Sequence, residues 1–247
     1  MYFYIYDEFL SDRSFERDLI AVENRLADLG IAGRVARLAL FKHAKAFVGD
    51  ELKKGHITTV VAVGNDATVQ KVVEAMQGYG VALGLIPFGE PVRLAKMLGV
   101  PDGVAAVDVL SARNIEWMDA GLLNGERFLT SVQFPKIKHK GVRCDGMYTM
   151  MADAPSIVEI RNMDGDIEAG DVSDPTDGRL EAVMYTDARR LLRRQLLESR
   201  VGAPAFEITY DSPVVATMDG KEVKGEHFTV TVEPKVMRIV TGKGRLF

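Results

Sequence analysis

Cysteine is almost missing from this chain: Cys144 is the single one in 247 residues. A lone thiol excludes an internal disulfide and suits a reducing compartment. Histidine is scarce as well. His43, His56, His139 and His227 are scattered, and neither they nor Cys144 show metal-ligand spacing. There is no Gly-x-Ser-x-Gly elbow for a serine nucleophile. No apolar run approaches the roughly 20 residues that span a bilayer. Met1–Asp7 reads as a strand, not as a basic-then-apolar leader. An excess of one charge is also lacking. Lys and Arg number 31 against 35 Asp and Glu, so the net charge of −4 gives no overall attraction to nucleic acid or anionic membrane. These absences point to a cytoplasmic protein with one large domain or two modest ones.

What is present is periodicity. Tyr2–Tyr6 reads as a short aromatic strand. Phe15, Leu19, Val22, Leu26 and Leu29 then recur at steps of four and three, one face of a helix, with Ser11, Asp12 or Ser14 as N-cap and Gly30 as stop. Val35–Leu40 reads as a strand and Lys42–Lys54 as a helix ended by Gly55. Ile57–Val63 is nearly all apolar, as in a strand covered on both faces. Thr68–Gln77 is a helix closed by Gly78, Val81–Ile86 a buried strand, and Pro91–Leu98 a short helix. This alternation argues for a parallel, doubly wound sheet, whose ligands bind outside the carboxyl ends of the strands. Gly64 and Gly89 stand at those ends.

After Pro101 the pattern changes. Strands are expected at Val104–Leu110, Asn114–Asp119, Phe128–Phe134, Met147–Met150, Ile157–Asn162, Leu180–Thr186, Phe206–Tyr210, Val214–Met218 and Phe228–Glu233. Turn pairs such as Asn124-Gly125, Asp145-Gly146 and Asp219-Gly220 separate many of them. One helix, about Asp187 to Ser199, is expected among them. The second half therefore reads as an antiparallel β-sandwich or barrel. The expected division is an α/β domain over 1–103, a β-sandwich domain over 104–234 and a tail over 235–247 that returns to the first domain.

The most informative stretch is Val60–Thr68. A buried strand runs into Gly64, Asn65, Asp66 and Ala67 and then a helix beginning at Thr68. A tight loop at a helix N-terminus aims free N–H groups and the helix dipole at one spot, a common phosphate-binding device. The order of motifs resembles the diacylglycerol kinase catalytic family, ATP-dependent lipid kinases akin to NAD kinases. The family has a Gly-Gly-Asp-Gly-Thr loop where this chain has Gly64-Asn65-Asp66-Ala67-Thr68. Its Pro-x-Gly-Thr-x-Asn-Asp-x-Ala segment and Leu-Gly-x-Pro end align with Pro87–Ala95 and Leu98–Pro101. Asp119-Ala120-Gly121, Asn124–Phe128 and the Met218-Asp219-Gly220-Lys221 turn resemble motifs of its second domain.

The resemblance implies ATP and magnesium as cofactors, held at Gly64–Thr68, Gly89 and Glu90 in the cleft between the domains. It places Asp66 near the metal and Asp219 as the candidate base. Phosphoryl transfer needs cradled phosphates, a metal bridge and a base near the acceptor hydroxyl, and several positions depart from the pattern. Ala67 adds a Cβ where phosphate would approach. Glu90, Val92 and Arg93 replace Thr, Asn and Asp, and Glu90 brings negative charge to the anion site. Asp7–Ser11 stands where an Asn-Pro-x-Ser-Gly loop is expected, and Lys221 replaces a glutamate. These changes favour an impaired or repurposed family member that binds a ligand or partner in that cleft. The alternatives are an active ATP-dependent lipid kinase acting on a diacylglycerol-type hydroxyl, and a non-enzymatic membrane scaffold. For Asp66–Thr68 helix capping is an equal reading, and for Asp219 a plain hairpin turn is the stronger one.

Two further features stand out. Met163–Asp177 is acidic, but Ala169 and Pro175 fail the calcium-loop pattern, leaving a solvated loop. Lys136, Lys138, His139, Lys140 and Arg143 form one basic cluster. Arg189, Arg190, Arg193 and Arg194 lie beside Leu191, Leu192, Leu196 and Leu197 on the expected helix, which could rest on an anionic membrane at the inner face of the cell membrane. A surface helix with inward leucines is the simpler reading. No nucleic-acid partner is expected, and an exposed strand edge in the second half would allow a homodimer.

Overall fold

Strand β1 (Tyr2–Tyr6) pairs in parallel with β2 (Arg34–Arg37) on one side and β3 (Thr59–Gly64) on the other. The computed structural model describes residues 1–38, 44–190 and 193–247. The expected end of the second strand at Leu40, and Lys42 and His43 at the expected helix start, lie outside the described residues. Around the strands fold α1 (Glu16–Asp28), α2 (Ala44–Lys53), α3 (Asp66–Met76), α4 (Arg93–Met97) and α5 (Val104–Ala112), with β4 (Ala82–Pro87) parallel to β3. Every residue of β3 and β4 is buried, which accounts for their unbroken apolar runs: helices cover both faces. Contacts pair α1 with α5 and α2 with α3, the two layers that right-handed crossovers produce.

The α1 face predicted from periodicity is the one buried, through Leu19, Val22 and Leu26. Its N-cap is Phe15, with no side-chain cap. Asp7 and Asp12 instead cap two short 3-10 turns, Glu8–Ser11 and Arg13–Phe15. The expected strand Val104–Leu110 is corrected to helix α5. Its buried residues Ala106, Val107 and Leu110 follow helical spacing, and packing against α1 overrides the strand propensity of its valines.

The chain divides into two compact units. The first is Met1–Trp117 with Met237–Leu246, and the second is Met118–Val236 with Phe247. In the first, Arg238 and Ile239 add to the sheet in parallel with Ala82 and Leu83, so the strand order is β2-β1-β3-β4 and then this returning segment. The tail is tied down further by Gly242 N–H to Leu98 O at 2.9 Å and Leu246 N–H to Met97 O at 3.0 Å.

Strands β5 (Ile115–Leu123), β6 (Glu126–Phe128) and β7 (Ser131–Ile137) lead into the second unit. It continues with β8 (Val142–Cys144), β9 (Tyr148–Met150) and β10 (Ser156–Arg161). A two-stranded ribbon, β11 (Gly165–Asp166) with β12 (Asp171–Val172), lies within the acidic loop. The acids there serve their own turns: Asp166 accepts from Glu168 and Ala169 N–H, and Asp174 from Thr176. Then come β13 (Leu180–Arg190), β14 (Arg193–Ala203), β15 (Ala205–Met218) and β16 (Lys221–Val240).

The antiparallel order in this unit is β14-β13-β10-β7-β15-β16, with β8 and β9 attached to the early part of β15. β15 joins two expected strands through an irregularity between Thr209 and Val214. That bend lets Phe206–Ile208 pair with β8 while Thr217–Met218 pair with β7. The core is aromatic: Phe134 meets Phe228 edge-on at 5.1 Å, and Tyr210 and Phe206 are buried beside them.

The expected helix over Asp187–Ser199 is also corrected. The described residues continue β13 to Arg190 and begin β14 at Arg193, with Arg190 opposite Arg193 and Arg189 opposite Arg194. Arg, Leu, Gln and Glu favour a helix locally. The ladder already fixed between β10 and β13 extends along this segment and overrides that preference. Leu191 and Leu192 lie outside the described residues. Among the described residues no helix is long and apolar enough to cross a membrane.

Candidate functional site

In the first unit the carboxyl ends of β1 and β3 lie side by side, with β2 outward of one and β4 outward of the other. Open α/β sheets hold their ligands at such a reversal of strand order. Gly64 ends β3 with φ +154°, and a Cβ there would lie 2.2 Å from the Thr68 hydroxyl, so this position requires glycine. Asn65 is the N-cap of α3. Its Oδ1 accepts from Thr68 N–H at 3.2 Å, while its own N–H donates to Thr68 Oγ1 at 3.1 Å, a closed capping box. Asp66 N–H donates to Pro91 O at 2.9 Å and Val69 N–H to Asn65 O at 3.1 Å. Ala67 is exposed in the same turn.

The loop after β4 is fastened to this turn. Asn65 Nδ2 donates to Glu90 O at 3.2 Å, and Phe88 N–H donates to Gly64 O at 3.0 Å. The Asp66 carboxylate receives Arg93 N–H at 2.9 Å on one oxygen and Leu94 N–H at 3.2 Å on the other. Burial pushes its pKa up to about 6, aided by the Glu90 charge and opposed by those two N–H groups and the Arg93 charge. Glu90 and Arg93 are exposed, while Val92 is buried under the start of α4.

Sequence reasoning missed the role of Asp7. It follows β1 directly, and its carboxylate is buried at the strand reversal. It accepts from Thr68 Oγ1 at 2.8 Å, from Lys71 Nζ at 3.0 Å and from Glu8 N–H at 2.6 Å. Burial alone would raise its pKa. The bonds from Thr68 and Lys71, with the Lys71 charge, hold it below the ordinary carboxylate value. Position was the available signal, an acid at the carboxyl end of a strand flanking the reversal. Sequence reasoning also missed an aromatic cluster. Phe15 meets Phe9 at 5.5 Å and Phe88 at 6.2 Å, both edge-on, and the Phe9 ring lies against Gly89, whose φ is +69°.

Asp219 belongs to the second unit. With Gly220 it forms the turn between β15 and β16, both at positive φ (47° and 83°), the hairpin geometry its sequence suggests. Its carboxylate does more than turn the chain. One oxygen takes Leu129 N–H at 2.7 Å; the other takes Thr130 N–H at 2.9 Å, Ser131 N–H at 3.3 Å and the Thr130 hydroxyl. Burial raises its pKa against the pull of these donors. Lys221, beside it, pairs with Glu126. Asp119 is likewise buried, with one oxygen on Lys235 N–H and the other on Gly178 N–H, each at 2.7 Å. No local pattern announces these bonds, since their partners are tens of residues away.

This arrangement is that of an α/β unit with a phosphate-loop-like turn at its sheet reversal, joined to an antiparallel β unit. Comparison makes the class specific. Residues 2–123 match the diacylglycerol kinase catalytic domain. Three solved structures described as diacylglycerol kinases from Bacillus anthracis strain Sterne share the fold, each with 98% of this chain and 97% of theirs covered. Their TM-scores are 0.79, 0.77 and 0.78, at 15%, 14% and 15% identity. No curated protein sequence matches. Residues 2–123 therefore carry a diacylglycerol kinase catalytic domain by family match, and the chain shares the fold of those structures over nearly its whole length.

Proposed function

We propose that this diacylglycerol kinase-like protein has lost ATP-dependent phosphoryl transfer and serves in binding instead. One observation carries the reading: the sheet reversal already holds an anion of the protein's own, the Asp7 carboxylate on Thr68 and Lys71. A triphosphate arriving there would have to displace Asp7 from both. It would also have to compete with Asn65 for the Thr68 N–H and with Pro91 for that of Asp66. Bonds gained at the cost of equivalent bonds contribute little net energy. Each unit charge brought to about 4 Å of Asp7 or Glu90 adds roughly 4 kcal/mol of repulsion at an effective dielectric near 20.

Magnesium fits no better. Asp66, the carboxylate expected near the metal, has both oxygens on backbone N–H groups. Gly64, Asn65, Ala67 and Thr68 thus form a closed turn to which the Gly89–Glu90 loop is fastened. The competing reading, an active lipid kinase, draws on the raised pKa of Asp219, the direction a general base needs. The four donors on its carboxylate argue against that role.

Thermal melting with Mg·ATP tests the proposal. At millimolar nucleotide the midpoint is expected to move by less than about 1 °C. Micromolar affinity would instead stabilise the fold by about 4 kcal/mol at a thousandfold excess over Kd and overturn the proposal. Labelled phosphate entering a lipid extract, and vanishing in a folded Asp219→Ala variant, would establish the kinase reading.

A further inference from the structure

His139 is buried in the turn between β7 and β8, and both of its ring nitrogens are engaged. Nδ1 accepts from Gly141 N–H at 3.1 Å, and Nε2 lies 2.7 Å from Ser156 Oγ. A backbone N–H can only donate, so Nδ1 carries no proton. The single proton of the neutral ring is then on Nε2, which donates to Ser156. Tyr210 of β15 meets the imidazole edge-on at 6.2 Å. One side chain thus ties the turn to the start of β10 and packs it against β15.

The ladder is weak where this tether sits. Ser156 pairs with Ile137 and Val158 with Phe134, so Pro135 and Lys136 face Ile157 alone. That is a bulge, and Pro135 has no N–H to give the sheet. Beyond the turn, Lys140 N–H donates to Thr209 O at 3.0 Å and Asp145 N–H to Ala205 O at 2.8 Å, with β8 paired to Phe206–Ile208 between them. β9 pairs with β8 alone. It packs back over the turn so closely that a Cβ on Gly141 would stand 2.5 Å from Thr149 Cγ2 and 2.6 Å from Met151 Sδ. Turn and hairpin are therefore packed as one piece. The charges on the elements around His139 are occupied elsewhere or exposed. Lys136 pairs with Asp187, Lys140 with Asp211 and Arg143 with Glu207, while Lys138 and Asp153 are exposed. Burial raises the pKa of Tyr210 and of Cys144, so both stay neutral. Burial is also what lowers the His139 pKa, and none of these charges contributes.

We propose that His139 is a pH-sensitive latch: a second proton, on Nδ1, breaks its bond from Gly141 N–H and frees the Lys138–Met151 segment from the body of the second unit. The imidazolium would set two donors against each other at Gly141. It would also leave a charge beside the rings of Tyr210 and Phe134 with no carboxylate to meet it. Opening to water relieves both at once. It uncovers Val142, Cys144 and Met150, which are buried when the latch is closed, and bares the Phe206–Ile208 edge of β15. The device lies within the second unit and is independent of whether nucleotide binds in the first.

Cys144 reports the opening, since it is the one thiol of the chain and is fully buried. Its labelling by dithiodipyridine is followed in the full chain, and each rate is divided by that of the urea-unfolded chain at the same pH. An opening that releases a histidine to its ordinary pKa near 6.5 should raise this ratio by up to about tenfold between about pH 7.5 and about pH 5.5. His139→Gln keeps a neutral acceptor and donor, and its ratio is expected to stay flat. The rise in the parent should be nearly unchanged by about 1 M urea, because a local opening exposes little surface. Should His139→Gln fail to fold, hydrogen exchange in the parent decides. Gly141 N–H should lose about tenfold in protection over the same range, while Ala182 N–H in the β10–β13–β14 ladder keeps its own. A flat ratio in the parent would overturn the proposal. So would an equal rise in a folded His139→Gln variant, a rise that urea steepens strongly, or equal losses of protection at Gly141 and Ala182.

Discussion

Each unit keeps one acid from the family pattern, Asp66 in the first and Asp219 in the second, and the two can be compared directly. Asp66 opens α3 and Asp219 sits in a hairpin turn, yet both have pKa values raised by burial, and both spend their two oxygens on backbone N–H groups. They differ in what they hold together. Asp66 holds the first residues of a five-residue helix beside the exposed Glu90. Asp219 gathers three successive N–H groups and a hydroxyl from the Leu129–Ser131 segment at the mouth of β7. The comparison separates survival of a motif residue from survival of its chemistry. A carboxylate can persist because a fold needs an acceptor, and an acceptor already saturated is poorly placed to take a substrate proton.

The comparison can be broken by substitution. Asp219→Ala should have the largest effect. It strands up to three part-buried N–H groups, and a loss of about 3 kcal/mol is expected in urea unfolding. Asp66→Ala removes a cap from a short helix end, and about 1 kcal/mol is expected. An equal cost for the two, or an Asp219→Ala variant as stable as the parent, would remove the structural account of Asp219 and return it to candidacy as a base. The turn glycines sharpen the same contrast. At Gly64 a Cβ meets the Thr68 side chain at 2.2 Å, while at Gly220 it meets open space. Gly64→Ala should therefore cost about 2–3 kcal/mol, clash and positive φ together, against about 1 kcal/mol for Gly220→Ala from φ alone. Similar costs would mean that the first turn is looser than its capping box implies.

Much of this was legible in sequence because it is local or periodic. The β3 strand and the Gly64 stop follow from a buried apolar run and one glycine, and the helix expected from Thr68 is there, beginning two residues earlier at Asp66. The Asp219-Gly220 hairpin follows from its turn residues. Two elements misled for a shared reason. Val104–Leu110 has valines that favour a strand and the segment after Thr186 has arginines and leucines that favour a helix, yet in each a distant partner decided. For α5 the partner is α1, and for the segment leading to Arg190 it is the β10–β13 ladder. The site was half legible. Gly64–Thr68 could be located from the chain alone, but the Asp7–Thr68–Lys71 contact joins residues about sixty positions apart, and nothing in either segment signals the other.

The smallest effect is in pH dependence, and it tests the first unit alone. The Asp66 carboxyl has a folded pKa of about 6 against an ordinary 3.8. The folded state therefore takes up this proton first. The penalty of holding Asp66 charged is relieved as pH falls through about 6, and relief is complete below the unfolded value. Asp7 has the opposite sign. Its folded pKa is lowered, so its contribution persists down to the unfolded value and is lost below it. His139, buried and with a lowered pKa, works against Asp66 between neutrality and pH 5, because its stabilisation is lost as the unfolded chain takes up protons. A difference measurement removes that interference. Urea midpoints for the parent and Asp66→Asn at pH 7 and pH 5 share the His139 and Asp7 contributions. The parent should gain stability relative to the variant on acidification. A gap that stays constant, or moves the other way, would mean that Asp66 is solvated and its two N–H bonds are not its lasting partners, which would leave the first turn free to meet a ligand.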